Sequence, residues 1–232
     1  MERLDKLLAA TGQWSRKEAK ALVKAGRVQV GGARPKGPED KVAEGTPVTV
    51  DGRPIATEQG VYVMLHKPAG VVSSTQDPRE RTVLDLLPQH LRRALFPVGR
   101  LDKDTEGLLL LTNDGPLAHA LLAPGRHVDK VYYVEVDGRL DQQDRRAFQA
   151  GVTLADGTVC QPADLTVLDP PSQGLVTLRE GKYHQVKRML AARGKPVTYL
   201  KRLSMGPLTL DPALPAGAWR PLTPEEKASL GR

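Results

Sequence analysis

Three acids stand at alternate positions in one short polar segment, Asp102, Asp104 and Glu106 within Gly99 to Gly107, and four leucines follow at Leu108 to Leu111 before Thr112-Asn113-Asp114-Gly115. Between Gly107 and an expected Asn-Asp-Gly turn the leucines read as a buried strand, which places Asp102 in the loop that feeds it. A carboxylate on such a loop can serve as a nucleophile or a base, or it can cap a turn; residue type and position leave both readings open. Two other segments hold groups that could join it. Tyr132 lies in the alternating Val131-Tyr132-Tyr133-Val134, as a stacking surface or a plain strand tyrosine. Lys187 lies in residues 179–202, where eight Lys and Arg meet one acid, and could pair with a carboxylate or bind phosphate. His66 and His184 have no partner identifiable in the sequence and are expected to orient loops.

The elements that must position these groups follow from hydrophobic spacing and turn residues. Leu4, Leu7 and Leu8 share a helical face, and Thr11-Gly12 ends that helix. Ser15-Arg16-Lys17-Glu18 is a capping box that starts a second helix, in which Ala19, Leu22 and Val23 form the buried stripe and Gly26 marks the end. Trp14, just before the cap, faces Ala19 as a hydrophobic staple and is given a structural role. Strands are expected at Arg27 to Val30 and Thr46 to Val50, the latter before the turn Asp51-Gly52. A polar linker at residues 56–61 then separates residues 1–58 from residues 59–232. The second unit opens on Val61 to Leu65 and continues as short Val- and Leu-rich strands with helices at Val83 to Leu87, Pro116 to Leu122, Leu140 to Ala150 and Gln185 to Arg193. Pro170-Pro171 and Asp211-Pro212 mark loops. The expected class is α+β.

Composition narrows the setting. The 232 residues include 34 Lys and Arg against 27 Asp and Glu, for a formal net charge of +7. The surplus is concentrated: residues 1–36 hold nine basic residues against three acids, and residues 179–202 form the second basic block. Two separated basic blocks suit a polyanion such as nucleic acid, whose phosphates release condensed counterions when neutralised. The single Cys160 excludes a disulfide framework and a cysteine-based zinc site. No apolar run approaches the roughly 20 residues of a membrane span, and the opening residues carry no apolar signal core, so a cytoplasmic protein without membrane contact is expected.

Two resemblances attach to these motifs. Arg3-Leu4-Asp5-Lys6 through Ser15-Arg16, Ala19, Val23, Gly26, Val28 and Val30 resembles an S4 domain, a small RNA-binding module. That resemblance implies RNA backbone contacts from Arg16, Lys17, Lys20 and Arg27. Asp102-x-Asp104-x-Glu106 with Thr105, and Thr112-Asn113 after it, resembles the nucleophile box and second motif of haloacid-dehalogenase phosphatases. There the two motifs end different parallel strands, whose crossover needs about a dozen residues besides the strands. Asp102 and Thr112 are only ten positions apart, and Pro97 to Leu101 makes a poor central strand, so that reading is set aside.

The run from Gly99 to Gly115 instead resembles the catalytic motif of the RsuA/RluB/RluE/RluF branch of the pseudouridine synthases. Three further segments agree in order: His66-Lys67-Pro68-Ala69-Gly70 with Ser73-Ser74-Thr75, Lys130-Val131-Tyr132, and Glu180-Gly181-Lys182-Tyr183-His184-Gln185-Val186-Lys187-Arg188-Met189-Leu190. The resemblance implies a mixed, largely antiparallel sheet behind the small S4 domain. It implies Asp102 as the catalytic carboxylate, Lys187 as the cation that keeps it ionised, and Tyr132 as the surface on which uracil stacks. It further implies RNA contacts from Arg100, Lys67, His184 and Arg188. Isomerising uridine breaks the C1′–N1 bond and joins C5 to C1′, with nothing oxidised or hydrolysed, so neither a cofactor nor a metal is expected. A stacked nucleotide hides that bond, so base flipping is expected.

Whether the acid attacks C1′, adds to C6 or removes the 2′ proton stays open. Within the branch, Val186-Lys187 and the ending Pro215-Ala216-Gly217 through Arg220-Pro221-Leu222-Thr223, with Glu225-Glu226, favour 16S over 23S ribosomal RNA. The expected target is uridine-516, on free RNA or a partly assembled subunit, with a monomeric enzyme. A non-enzymatic S4-type ribosome-assembly protein is the competing class; it leaves Asp102, Tyr132 and Lys187 without a purpose.

Overall fold

The computed structural model describes the chain except residues 12, 44, 56–59, 124–127 and 232. The expected linker at 56–61 and the Gly12 stop therefore lie partly outside the described residues. The N-terminal elements are β1 (Glu2–Arg3), α1 (Leu4–Ala10), α2 (Arg16–Lys24), β2 (Val28–Val30), β3 (Lys41–Val42), β4 (Val48–Val50) and β5 (Arg53–Pro54). Helix α2 begins as its sequence dictates: Glu18 N–H donates to Ser15 Oγ at 3.2 Å and Ser15 N–H donates to Glu18 Oε2 at 2.6 Å. Gly26, just past its end, takes φ +71°, the left-handed C′ conformation. Strands β4 and β5 join through Asp51 and Gly52, at φ 52° and 74°, the pair of positive values that a type I′ hairpin requires. Leu4, Leu7, Leu8, Ala19, Leu22, Val23, Val28 and Val48 close a small core against Trp14.

The larger unit continues with β6 (Tyr62–Lys67), a 3-10 turn (Val83–Leu86), α3 (Gln89–Arg92), β7 (Phe96–Val98), β8 (Glu106–Thr112), α4 (Gly115–Leu122), β9 (Lys130–Val136) and α5 (Gln142–Ala150). After these come β10 (Asp164–Val167), β11 (Gln173–Leu178), α6 (Gln185–Ala192), β12 (Val197–Met205), β13 (Leu208–Thr209), β14 (Trp219–Pro221) and α7 (Pro224–Ser229). Among the described residues these strands form one nine-stranded sheet with the main order β10-β11-β9-β12-β8-β6-β14. Every pairing in it is antiparallel except β12 with β8, which run parallel. The mixed, largely antiparallel α+β architecture matches expectation.

Both faces of the sheet are covered, which explains why β8 carries four consecutive leucines, Leu108 to Leu111, instead of alternating. Leu109 and Leu111 join the core beneath α5 and α6, with Val63, Leu65, Tyr132, Val134, Phe148, Val186 and Met189. Leu108 and Leu110 join the opposite core with Met64, Leu117, Leu121 and Met205. No helix among the described residues is long and apolar enough to cross a membrane.

The end of β8 differs from the sequence reading. Asn113-Asp114-Gly115 is not a hairpin turn; Asp114 Oδ1 accepts Leu117 N–H at 3.1 Å and caps α4, whose second residue is Pro116. An aspartate followed by Gly-Pro serves a helix start better than a turn, because Pro needs no N–H donor partner in the first helical turn. Asn113 instead bridges the two units: its Oδ1 accepts Val61 N–H at 2.8 Å and its Nδ2 donates to Ala10 O at 3.1 Å.

The start of β8 depends on one glycine. Gly107 has φ +108°, and a Cβ there would sit 2.2 Å from the carbonyl oxygen of Arg202 and 2.6 Å from its nitrogen, on the parallel neighbour β12. Gly107→Ala is therefore expected to lower unfolding stability by about 2–4 kcal/mol, from overpacking and an unfavourable φ together. Urea unfolding of the purified variant checks this, and a change within about 0.5 kcal/mol, typical of surface substitutions, would sink it.

Candidate active site

The loop before β8 is held by its own backbone atoms. Lys67, at the end of β6, is wholly buried, and its Nζ donates to the carbonyls of Thr105 at 2.8 Å, Pro68 at 3.0 Å and Lys103 at 3.2 Å. Gly70 N–H reaches the same Lys103 carbonyl at 2.8 Å. Ser73 Oγ donates to Leu101 O at 2.8 Å and accepts Leu101 N–H at 3.0 Å. Thr105 N–H closes the turn onto Asp102 O at 3.1 Å. With Leu101 buried in the core, the backbone on both sides of Asp102 is fixed. Lys67, expected among the RNA contacts, is thus placed as a strut beneath the loop, with its ammonium on protein carbonyls. The reason is register: Lys67 pairs with Gly107, the one residue there without a side chain. Burial pulls the Lys67 ammonium down to about 8, although the charges of Asp104, Asp102 and Glu106 oppose the shift.

Asp102 itself is one-quarter exposed, with Lys187 Nζ 3.2 Å from Oδ2 and His184 Nε2 3.5 Å from Oδ1. Lys187 also pairs with Asp104 Oδ1 at 2.5 Å, a contact that the sequence reading missed. Burial works against the charge on Lys187, but hydrogen bonds to Asp104 and Asp102 outweigh it and hold the ammonium above the usual lysine value. The same hydrogen bond from Lys187 holds Asp104 below the usual carboxylate range. Both side chains, His184 and Lys187, come from the start of α6, which Val186, Met189 and Leu190 pin to the core. Tyr132 is 9% exposed and packs in the same cluster as Leu101 and Val186, the residues preceding Asp102 and Lys187.

Two of the three acids share a partner. Glu106 Oε2 accepts the hydroxyl of Tyr199 at 2.8 Å, Asp104 faces Lys187, and Asp102 faces Lys187 and His184. His66, whose partner the sequence does not identify, has Nδ1 2.7 Å from Leu214 O; His184 likewise has one, Asp102. Sequence spacing could not reveal the latter, because His184 reaches Asp102 only through a left-handed backbone at φ 47°.

The expected RNA contacts separate into open and engaged groups. Arg100 is exposed. Arg188 pairs with Asp156 at 2.5 Å. In the N-terminal unit Lys17 is exposed, whereas Arg27 is bidentate on Asp51 at 2.8 and 2.5 Å, and Arg16 and Lys20 lie 3.4 and 3.9 Å from the buried Asp5. Arg3, Lys20, Lys24, Arg34 and Lys36, with Glu39, line a cleft in that unit. Arg34 and Lys36 are basic groups that helix-face reasoning passed over, since they come from a loop.

A family model described as RNA pseudouridylate synthase matches residues 61–192, and an S4 domain model matches residues 2–48. The chain belongs to the RNA pseudouridylate synthase family. The synthase is 50% identical over 229 residues to an uncharacterized RNA pseudouridine synthase of Bacillus subtilis, covering 97% of this chain and 96% of the relative. It is 45% identical over 230 residues to a ribosomal small subunit pseudouridine synthase A of Pseudomonas aeruginosa, covering 98% and 100%. A crystal structure of a pseudouridylate synthase superposes with a TM-score of 0.71 at 34% identity, covering 99% of this chain and all of that one. The synthase is accordingly an isomerase joined to an S4 RNA-binding domain.

Because the synthase buries Lys67 with its ammonium lowered to about 8, its unfolded form binds more protons than the folded form from there up to the ordinary lysine value. Stability linked to this group therefore rises with pH in that window and is flat below it. Lys67→Met strands three carbonyls and is expected to cost about 3 kcal/mol. The deficit relative to wild type should widen between about pH 8 and pH 10.5. Urea titrations of both proteins at several pH values test the sign; a deficit that shrinks over that range contradicts it.

Proposed function

We propose that this synthase converts one uridine of small-subunit ribosomal RNA, uridine-516 of 16S, to pseudouridine in the cytoplasm. It acts as a monomer in which residues 1–58 grip RNA and residues 59–232 carry the reaction. The observation that carries the reading is the Asp102 carboxylate, partly open to solvent and 3.2 Å from the Lys187 ammonium. The small-subunit choice is supported by the Pseudomonas relative of like length, named for that substrate.

In this reading Asp102 is the reacting group. A nearby cation favours its ionised form and fixes its rotamer at no reorganisation cost during the reaction. Lys187 supplies that cation, and its second bond to Asp104 keeps the ammonium at the loop when the RNA arrives. The same ion pair serves attack on C1′, addition at C6 or removal of the 2′ proton, since each needs an ionised carboxylate beside the nucleoside. Whichever route is taken, the C1′–N1 bond breaks, C5 joins C1′, C5 loses a proton and N1 gains one. Tyr132, in the apolar cluster behind the loop, is the floor for the uracil ring. Base flipping delivers the uridine to it, and the unstacking, which costs a few kcal/mol, is offset by phosphate contacts at Arg100 and Lys17 and in the cationic cleft.

Asp102→Asn is expected to lower pseudouridine formation by about 10³-fold or more while leaving RNA affinity within about threefold. Chemical mapping of pseudouridine after incubation with 16S RNA, 23S RNA and partly assembled subunits reads both the residue and the site. Turnover near wild type discards Asp102 as the reacting group, and product only in 23S RNA discards the small-subunit assignment. In the cleft, Lys24→Glu and Arg34→Glu should each weaken RNA binding and reduce the slope of log affinity against log salt by about one. Unchanged slopes would remove the cleft from the RNA path.

A further inference from the structure

Tyr183 is a large aromatic side chain left 75% exposed, beside a site whose other aromatic, Tyr132, is buried. It is not loose. Its ring stacks on the imidazole of His184, with centroids 3.8 Å apart and planes 18° from parallel, and that imidazole reaches Asp102 Oδ1 at 3.5 Å. Asp102, His184 and Tyr183 thus form a continuous row from the loop out to solvent.

The segment presenting this row is braced from behind. Glu180 accepts Gln161 N–H at 2.9 Å and Gln185 Nε2 at 2.6 Å, and it pairs with Lys182. Gln185 Oε1 accepts Lys182 N–H at 2.8 Å, and Arg188 Nη1 donates to Tyr183 O at 3.4 Å. His184 is held at φ 47°, a conformation that a non-glycine residue keeps only when its surroundings impose it, and such residues cluster at ligand clamps. The Tyr183 hydroxyl has no hydrogen-bond partner among the described residues, so its ring, and not its hydroxyl, is what the loop offers.

We infer that the Tyr183–His184 stack is a platform for an unpaired nucleobase of the RNA, next to the uridine that enters at Asp102; this rests on the RNA-modifying reading proposed above. A nucleobase is the occupant that the surroundings select. Every base has a face that can stack on an aromatic ring, and the neighbouring Lys182, Lys187 and Arg188 are held in ion pairs with Glu180, with Asp102 and Asp104, and with Asp156, so the exposed rings are the surface on offer. The flipped nucleotide leaves its neighbour with one unstacked face, and a rigid pair of rings one residue from Asp102 can cover it. An apolar protein partner would meet these ion pairs instead of a complementary surface.

The test uses the full-length protein with 16S RNA and steady-state pseudouridine formation. Tyr183→Ala should raise KM about 5- to 150-fold, the equivalent of one stacked base, with kcat within about twofold. Tyr183→Phe and Tyr183→Trp should restore KM to within about twofold, and the additional indole emission of the Tyr183→Trp protein should be quenched as RNA is added. The platform is overturned if Tyr183→Ala leaves KM unchanged, if Phe fails as badly as Ala, or if kcat falls while KM holds. In each of those cases wild-type activity keeps the synthase reading intact. If the wild type itself makes no pseudouridine in 16S or any other ribosomal RNA, that reading fails and the platform falls with it.

Discussion

The ammonium of Lys67 lies with no solvent exposure among three carbonyl oxygens, two of them from the loop that carries Asp102. A buried lysine is tolerated only where its donors are all satisfied and opposite charge is near. Here Asp102, Asp104 and Glu106 supply that charge, so the loop that needs the lysine also makes its burial possible. The hydrogen bonds go to main-chain oxygens, so the loop's path is held whatever the acids above it are doing. Leu101 in the core and Ser73 on the Leu101 peptide complete the support from the other side.

Above this base, two acids share one cation. Lys187 makes the shorter contact to exposed Asp104 and the longer one to half-sheltered Asp102. Asp104 therefore anchors the ammonium, while Asp102 keeps part of its coordination free for another group. A carboxylate saturated by strong donors would be a poor nucleophile or base. Dividing the lysine between two acids keeps it charged without saturating the one that matters in the proposed reaction.

Much of this was legible in the chain. The capping box at Ser15 and Glu18, the Leu108 to Leu111 strand, the loop position of Asp102 and the pairing of Lys187 with it were each expected and are each found. Thr223-Pro224-Glu225-Glu226 carries the signature of a capped helix, present as α7, although in the sequence it serves only as part of the ending that favours 16S RNA. What sequence could not supply was direction. Lysine in a basic protein reads as an RNA contact, and only strand register turns Lys67 inward under Gly107. Asn-Asp-Gly reads as a turn until the following proline makes it a helix start. Asp104, two residues from Asp102, has no partner visible in the sequence because nothing local shows that α6 brings Lys187 between them.

The leucine tetrad of β8 has a consequence of its own. A strand whose neighbours on the two faces differ in type resists sliding, because a slip by one residue would put the wrong side chains in each core. Four identical residues, two to each face, give no such resistance. The strand must instead be indexed from its ends. At one end Gly107 alone fits against the Arg202 backbone, and at the other Asp114 is tied to the Tyr62 hydroxyl at 2.8 Å. These two stops set how far the Asp102 loop projects from the sheet, so a homopolymeric stretch places the Asp102 carboxyl only because it is calibrated where the repetition ends.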